Sequence, residues 1–262
     1  MNPVYASVIG CCLASFKALG WKVQVSGAEH VPAQGPGVVA TNHVGYLDFV
    51  FAGYGVREQG RRRLRFVAKR EIFDNRYAGP LMRAMEHIPV DRGGETSRAM
   101  GEVRAALDRG DLVGMFPEGT ISRSFVPLRG RPGAARMAME ARAPLIPGAV
   151  WGTQRIYTKG GSFAATRGNV IQVAFGPPIP YAPDEEPEEV TRRLMEEIGR
   201  LVDGLQRSYP QRPAGPDDDW WLPAHLGGSA PTPEEAERLA REEAERRRRR
   251  HEARARGEDP DA

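Results

Sequence analysis

The sequence predicts an α/β fold in which a single mixed β-sheet is flanked by helices. Short apolar runs of strand length alternate with longer segments whose apolar residues recur at helical spacing. Glycine and proline separate many of these segments, and the pattern ends near Tyr209. Such alternation of strands and helices is typical of a sheet covered by helices.

The predicted strands are the short apolar or alternating runs. The second of them leads directly to His43, and the third ends at Lys69. We interpret all of them as strands of the same sheet. The predicted strands cover residues 21–25, 38–40, 65–68, 88–90, 112–116, 145–150 and 170–175.

The predicted helices follow from apolar spacing and from signals at helix ends. Thr96 can cap a helix that Gly110 ends, and its apolar positions recur at helical spacing. Other helices are predicted to begin near Asp48 and to cover residues 74–86 and 132–142. The closing helix carries one apolar stripe, formed by Val190, Leu194, Ile198, Leu201 and Leu205.

Composition divides the chain into residues 1–20, 21–210 and 211–262. The first segment is largely apolar from residue 4 to residue 19, interrupted by Ser7, Ser15 and Lys17, and this run is shorter than the roughly 20 residues that span a membrane. It has no basic start like that of a signal peptide, so an interfacial helix and a core helix are the alternatives. The last segment holds 10 Arg and 13 acidic residues with little apolar pattern, and we expect it to be disordered or partly helical.

Residues 1–210 are more basic than the whole-chain charge of +3 suggests, because the last segment carries −3. Their net charge of +6 suits an anionic membrane surface, a phosphorylated substrate or nucleic acid. The sequence has no RNA-binding aromatic pattern and no zinc-finger spacing, so no nucleic-acid partner is expected. The densest basic cluster is either a solvated loop or a lipid-headgroup contact, and it comprises Arg57, Arg61, Arg62, Arg63 and Arg65.

The two cysteines, Cys11 and Cys12, are adjacent in the sequence. They cannot form an ordinary disulfide across a fold, and they do not make a set of metal ligands. This usage of cysteine suits a reducing cytoplasm.

His43 and Asp48 form the most informative pair of residues. Five residues of straight helix would turn them about 140° apart, so they can meet only if the chain bends between them. Gly45 permits such a bend. A carboxylate beside an imidazole holds its tautomer and stabilises the imidazolium that forms during proton transfer. The pair is therefore a candidate base with its orienting partner.

A second informative segment is Phe-Pro-Glu-Gly-Thr at residues 116–120, at the end of a predicted strand. Pro117 and Gly119 interrupt the strand pattern and place Glu118 at the rim of a sheet. α/β proteins bind ligands at such a rim. An ordinary strand-end turn with a solvated Glu is the alternative.

Together these segments resemble the lysophosphatidate (1-acyl-sn-glycerol-3-phosphate) acyltransferases. The resemblance covers four blocks between about residues 41 and 150, and their order and spacing match that family. The blocks are Asn42-His43 with Asp48, Ile88-Pro89-Val90-Asp91-Arg92, residues 116–122, and Leu145-Ile146-Pro147. The resemblance implies a sheet fold like that of glycerol-3-phosphate acyltransferases.

The resemblance also implies the roles of individual residues. His43 would be the base that activates the acceptor hydroxyl, and Asp48 would support it. The remaining predicted site residues would contact the acceptor. Lys69 would either neutralise charge in the pocket or be an ordinary surface lysine. Glu118 would accept from an acceptor hydroxyl or position an arginine, because a carboxylate does not attract phosphate. The predicted substrate-binding residues are Lys69, Arg92, Glu118, Gly119, Thr120 and Arg123.

The activity implied by the resemblance is transfer of a fatty acyl group from a thioester to 1-acyl-sn-glycerol-3-phosphate. The product would be phosphatidic acid for phospholipid synthesis. Acyl-CoA or acyl carrier protein would carry the acyl group, and neither a metal ion nor another cofactor is expected. We expect a peripheral protein on the cytoplasmic face of the cell membrane, since the acceptor's acyl chain comes from a bilayer.

The sequence departs from the family pattern at several positions. Gly45 stands where the family commonly has Ser, and Ile121 replaces the Arg of the third block, with Arg123 two positions on. Further departures are Glu86, Pro89 and Gly148. These departures leave His43, the predicted base, in place. They put in question which residues contact the phosphate, and therefore which acceptor the protein uses.

Three other hypotheses remain open from the sequence. A family member could act on another lysolipid or a glycolipid. A metal-dependent phosphoester hydrolase could use His43, Asp48 and Glu118 as its ligands. A membrane-binding protein could keep the pocket without turnover, although the intact pair of His43 and Asp48 argues against it.

Overall fold

Seven strands form one mixed sheet in the computed structural model, which describes residues 3–76, 78–90 and 96–255. The strands are β1 (Lys22–Ser26), β2 (Gly37–Thr41), β3 (Leu64–Lys69), β4 (Ile88–Val90), β5 (Leu112–Met115), β6 (Leu145–Trp151) and β7 (Val170–Phe175). Their order across the sheet is β1-β7-β6-β2-β5-β3-β4. Neighbouring strands run parallel except β6 and β7, so the predicted mixed α/β sheet is confirmed.

The helices flank this sheet, and most lie where the sequence predicted them. They are α1 (Pro3–Leu19), α2 (Asp48–Glu58), α3 (Arg70–Asp74), α4 (Ala78–Ala84), α5 (Thr96–Asp108), α6 (Gly133–Ala141), α7 (Pro187–Ser208) and α8 (Pro233–Ala255). On α7 the apolar stripe is buried as predicted except at Leu201, which is only partly buried, while the adjacent Val202 is buried.

The prediction of one helix over residues 74–86 is wrong. The chain is already helical at Arg70, leaves the helix at Asn75 in an extended conformation, and begins a new helix at Ala78. The Asn75 side chain explains the break, because its Oδ1 accepts the backbone N–H of Ala78 at 3.0 Å and so starts the second helix. Gly79 then packs so closely that a β-carbon there would lie 2.0 Å from the carbonyl oxygen of Phe73.

One edge of the sheet brings together the ends of several strands, and we call it the carboxyl edge. β2, β5 and β6 are mutually parallel in register and end there. β7 runs antiparallel to β6 and parallel to β1, so both β7 and β1 begin at this same edge. β2 and β6 are buried along their whole length, as expected for central strands covered on both faces.

Helix α1 is attached to the core mainly through Phe16, and the partly buried Cys12 also packs against the core. Phe16 is buried and stacks on Phe51 of α2, with ring centroids 4.9 Å apart, and also contacts Trp21. The other side chains described on α1 are exposed or only partly buried. The helix is therefore anchored at its C-terminal end and is not a core helix along its length. Among the helices of the described residues, none has both the length and the apolar character that a membrane crossing needs.

The basic cluster at residues 57–65 lies mainly at the opposite edge, near the starts of β2, β3 and β5. Arg62 donates to the carbonyl oxygens of Pro32, Gly35 and Gly110 at 2.6–2.9 Å. Arg65 pairs with Asp111 at 3.0 Å. These two arginines hold loops together, which favours a structural role over lipid-headgroup binding.

The chain divides into two compact units, residues 1–121 with 127–212 and residues 122–126 with 213–262. The second unit contains α8, whose exposed charges form pairs four residues apart such as Arg241 with Glu237. It also contains short turns around Trp221, whose side chain is fully buried.

Candidate active site

The turn between β2 and α2 brings His43 and Asp48 together. Nδ1 of His43 lies 2.9 Å from Oδ2 of Asp48. The same carboxylate oxygen accepts the backbone N–H groups of Val44 and Gly45 at 2.7 and 2.8 Å. The carboxylate therefore folds the intervening residues around itself and orients the imidazole. The predicted bend between the two residues is confirmed.

The second oxygen of Asp48 is also occupied. Oδ1 accepts the hydroxyl of Thr153, a residue that follows β6 at the carboxyl edge. The side chain of Asp48 is completely buried, whereas His43 keeps 17% of its side chain exposed. Because the carboxylate can only accept, Nδ1 of His43 carries the proton, and its Nε2 is left as the basic nitrogen.

Stacked aromatic rings fix the plane of the imidazole. The ring of Phe116 lies parallel to that of His43, with centroids 3.9 Å apart and an angle of 6° between the planes. Phe66 of β3 stacks on Phe116 in turn, with ring centroids 5.2 Å apart. The imidazole is thus held by Asp48 at one edge and by Phe116 across one face.

Glu118 supports the backbone of this turn. Its Oε1 accepts the N–H of His43 and its Oε2 accepts the N–H of Leu128, both at 2.8 Å. The pKa of Glu118 is raised to about 8, chiefly by burial and also by the nearby Asp48, although the two N–H donors oppose the shift. The sequence suggested a contact between Glu118 and the acceptor, but both oxygens face the protein backbone.

β6 and the residues that follow it hold the turn from its other side. Asn42 exchanges two hydrogen bonds with the backbone of Val150, at 2.7 and 3.1 Å. The carbonyl oxygen of Val44 accepts the hydroxyl of Thr158 at 2.7 Å. The N–H of Tyr46 donates to the carbonyl oxygen of Tyr157 at 2.9 Å. The base is therefore built on a rigid support with bonds to two neighbouring segments.

The predicted cations have different surroundings. Lys69 is the last residue of β3 and is partly buried. Arg92 lies outside the described residues. Arg123 pairs with Glu243 of α8 at 3.0 Å, and both belong to the second unit. Ile121, at the position where the family commonly has Arg, is buried. The role of each predicted cation toward a phosphate stays a prediction.

Arg131 was not identified from the sequence, yet it lies beside the Glu118-Gly119 turn. Gly119 adopts a left-handed backbone with φ of 68°, and the Nε atom of Arg131 is 3.5 Å from where its β-carbon would be. The backbone N–H of Arg131 donates to the carbonyl oxygen of Pro117 at 3.0 Å. Within the described part of the chain, its guanidinium has no ion-pair partner. Because Gly119 has no side chain, the space beside the guanidinium of Arg131 stays open. Thr120, the next residue of the turn, is partly buried.

Comparison with known proteins identifies the family. A family model described as Acyltransferase matches residues 22–151. The 1-acyl-sn-glycerol-3-phosphate acyltransferase of Bacillus subtilis is 32% identical over 130 residues, which are 50% of this chain and 63% of that protein. The 1-acyl-sn-glycerol-3-phosphate acyltransferase alpha of Mus musculus is 33% identical over 196 residues, 71% of this chain and 67% of that protein.

The chain belongs to the acyltransferase family. The resemblance to its 1-acyl-sn-glycerol-3-phosphate acyltransferases, inferred from the four blocks, is thereby confirmed. The crystal structure of the 1-acyl-sn-glycerophosphate acyltransferase PlsC from Thermotoga maritima shares the fold, with a TM-score of 0.62 and 21% identity. That match covers 79% of this chain and 81% of the Thermotoga chain. The match to the Bacillus relative spans less than two thirds of that relative's length.

The geometry does not favour the metal-dependent hydrolase hypothesis. Among the residues that the structure describes, no three His, Cys, Asp or Glu side chains are grouped to hold a metal ion. The carboxylate oxygens of Asp48 and Glu118 all accept hydrogen bonds from the protein. These oxygens point toward N–H and O–H donors of the protein. The ligands of a metal site would instead converge on one common point, where the ion binds.

Gly45 offers a test of how tightly this acyltransferase turn is packed. A β-carbon at Gly45 would lie 3.0 Å from atoms of Thr153 and from the carbonyl oxygen of Tyr157. We expect Gly45→Ser to lower the free energy of unfolding by about 1–3 kcal/mol, because the neighbouring atoms are largely backbone. The measurement is urea denaturation followed by circular dichroism.

Gly53 provides the matched control, since it lies on α2 and a β-carbon added there would have nothing within 4 Å. Gly53→Ala should raise the free energy of unfolding by up to about 1 kcal/mol, because Ala is the better helix former. A Gly45→Ser protein as stable as the unaltered one would contradict the tight packing.

Proposed function

We propose that this protein transfers a fatty acyl group from an acyl thioester to the free hydroxyl of 1-acyl-sn-glycerol-3-phosphate, giving phosphatidic acid for phospholipid synthesis. The observation that carries the proposal is the hydrogen bond of 2.9 Å between His43 and the buried Asp48. This pair leaves Nε2 of His43 basic and accessible to a hydroxyl. The names of the related proteins support the choice of acceptor.

In the proposed reaction, Nε2 of His43 removes the proton of the acceptor hydroxyl as that oxygen attacks the thioester carbonyl. The tetrahedral intermediate collapses, the C–S bond breaks, and the thiolate leaves. The imidazolium, stabilised by Asp48, then returns its proton to the sulfur. His43 accounts for both proton transfers, so this scheme uses neither a covalent acyl-enzyme nor a metal ion.

Glu118 is proposed to act through His43 and not on the substrate. Its carboxylate holds the backbone N–H of His43 and that of Leu128, so it fixes the start of the turn relative to the segment after residue 127. Phe116 fixes the imidazole plane. We regard both as positioning residues, since neither presents a free polar atom to a ligand.

We propose that Arg131 contributes to phosphate binding. Its side chain stands beside Gly119, in the turn that supports His43. Arg131 is exposed and its guanidinium has no ion-pair partner within the described residues, whereas Arg123 pairs with Glu243. Arg92, two positions beyond β4, and Lys69, at the end of β3, are the other proposed contacts. A guanidinium can bind phosphate through two parallel hydrogen bonds.

A second candidate is the same reaction on another lysolipid or a glycolipid. The burial of Ile121, where the family commonly has Arg, favours it because one expected phosphate contact is missing. The acyl donor is proposed to be acyl-CoA or acyl carrier protein. We further propose that the protein works as a peripheral protein at the cytoplasmic face of the cell membrane, with α1 at the lipid interface.

The proposed function is tested by offering the purified full chain a panel of acceptors with palmitoyl-CoA and with palmitoyl-acyl carrier protein. Phosphatidic acid, identified by mass spectrometry, should form from 1-acyl-sn-glycerol-3-phosphate. His43→Ala should lower this turnover by roughly 10²–10⁴-fold, the usual contribution of a general base. His225→Ala, which alters an exposed histidine, is the control and should retain full turnover. Equal turnover in the two variants would refute the assigned base.

The phosphate contacts are tested by Arg131→Ala and Arg92→Ala. Each should raise the KM for 1-acyl-sn-glycerol-3-phosphate by about 10-fold or more and leave the thioester KM nearly unchanged, since charge-assisted hydrogen bonds contribute about 1.5–3 kcal/mol. Arg123→Ala should have a smaller effect. Arg136→Ala, at an exposed arginine paired with Glu188, is the matched control and should change neither KM.

With a monoacylglycerol acceptor, which has no phosphate, Arg131→Ala and Arg92→Ala should no longer raise the acceptor KM above that of the Arg136→Ala control. Equal losses on phosphorylated and phosphate-free acceptors would show that Arg131 and Arg92 do not bind the phosphate.

A further inference from the structure

Three aromatic side chains form an exposed cluster beside the turn that carries His43. We call Tyr46, Tyr157 and Phe163 the aromatic surface; 43%, 36% and 61% of these residues are exposed, respectively. The rings of Tyr46 and Tyr157 are 4.5 Å apart, and Tyr157 meets Phe163 edge to face at 6.2 Å. Aromatic groups that contact one another yet remain exposed usually mark a binding surface.

The loop that carries Phe163 is held in place by hydrogen bonds, so the exposure of the ring is built into the fold. The N–H of Ala164 donates to the carbonyl oxygen of Ile156 at 2.7 Å. The indole of Trp21 donates to the carbonyl oxygen of Thr166 at 2.7 Å. The N–H of Gly168 donates to the carbonyl oxygen of Leu19 at 2.8 Å.

These bonds also join the aromatic surface to the end of α1 and to the base. α1 ends just before β1, and β1 begins at the carboxyl edge where β2 ends. Tyr46 lies three residues after His43, and its N–H donates to the carbonyl oxygen of Tyr157. Whatever binds the aromatic surface is therefore brought to a fixed position relative to His43.

The charges around this surface indicate the nature of the partner. Residues 152–169, which connect β6 to β7 at the carboxyl edge and carry Tyr157 and Phe163, contain no Asp or Glu but contain Arg155, Lys159 and Arg167. Residues 1–28 likewise contain no acidic residue but contain Lys17 and Lys22. Tyr and Phe at the interface of a bilayer, next to basic residues, are the combination that binds anionic lipid.

We propose that the aromatic surface docks on an anionic lipid bilayer and sets the orientation of the catalytic turn toward it. Phe163 enters the interfacial region, Tyr46 and Tyr157 lie at headgroup level, and Lys159 and Arg167 meet the lipid phosphates. Docking in this orientation presents His43 to the bilayer from which an acceptor is taken. The orientation of His43 toward substrate rests on the proposed function, whereas the docking itself does not.

The test is vesicle flotation of the full chain with phosphatidylcholine vesicles that contain phosphatidylglycerol. Phe163→Ser should weaken the apparent Kd for these vesicles by about 10-fold, because the variant no longer places an apolar ring in the interfacial region of the bilayer. Phe163→Leu, which keeps an apolar side chain, should bind nearly as well as the unaltered chain.

Leu81→Ser is the matched control. Leu81 is 42% exposed on α4, the helix that leads the chain back to the start of β4. This variant should bind vesicles normally. Unchanged vesicle binding by Phe163→Ser, or an equal loss in Leu81→Ser, would overturn the proposal.

Turnover separates this inference from the proposed function. On a short-chain acceptor dissolved as monomers, Phe163→Ser should match the unaltered chain, and it should be slower only on acceptor embedded in vesicles. If no acceptor is turned over while vesicle binding still depends on Phe163, the docking surface stands and the proposed function fails. If Phe163→Ser binds vesicles normally but no longer uses a thioester of acyl carrier protein, the partner is a protein and the proposal is wrong.

Discussion

The buried carboxylate of Asp48 is the interaction on which the catalytic turn depends. A buried carboxylate is costly unless donors surround it, and here it accepts bonds from the imidazole of His43, two backbone N–H groups and the hydroxyl of Thr153. Those bonds fix the path of the chain from β2 to α2. The same bonds set the tautomer of His43, so one group determines both the local fold and which imidazole nitrogen is left unprotonated.

The sheet topology supplies the partners that this carboxylate needs. Because β2 and β6 are parallel neighbours, the residues that follow each strand meet at the carboxyl edge. Thr153 and Tyr157, which follow β6, therefore reach the turn after β2. β5, on the other side of β2, brings Phe116 against the imidazole and Glu118 against its backbone. Three neighbouring strands thus converge on a single histidine.

Much of the fold and the core of the site could be predicted because their signals are local. Strand and helix spacing located nearly every element, and the five-residue spacing of His43 and Asp48 required the observed bend. The part played by Thr153 could not be predicted, because it lies 105 residues from Asp48 and no local pattern marks it. The pairing of Arg123 with Glu243 likewise joins residues 120 positions apart. The burial of Glu118 and its bonds to the backbone of His43 and Leu128 could not be predicted either, because a sequence shows a carboxylate but not its surroundings.

The most direct measurement of the central claim is nitrogen NMR of the His43 imidazole in the unaltered chain and in Asp48→Asn. In the unaltered chain, neutral His43 should carry its proton on Nδ1 and leave Nε2 unprotonated. Asp48→Asn should shift the proton toward Nε2, because an amide can also donate and no longer requires Nδ1–H. A proton on Nε2 in the unaltered chain, or the same tautomer in both proteins, would contradict the account.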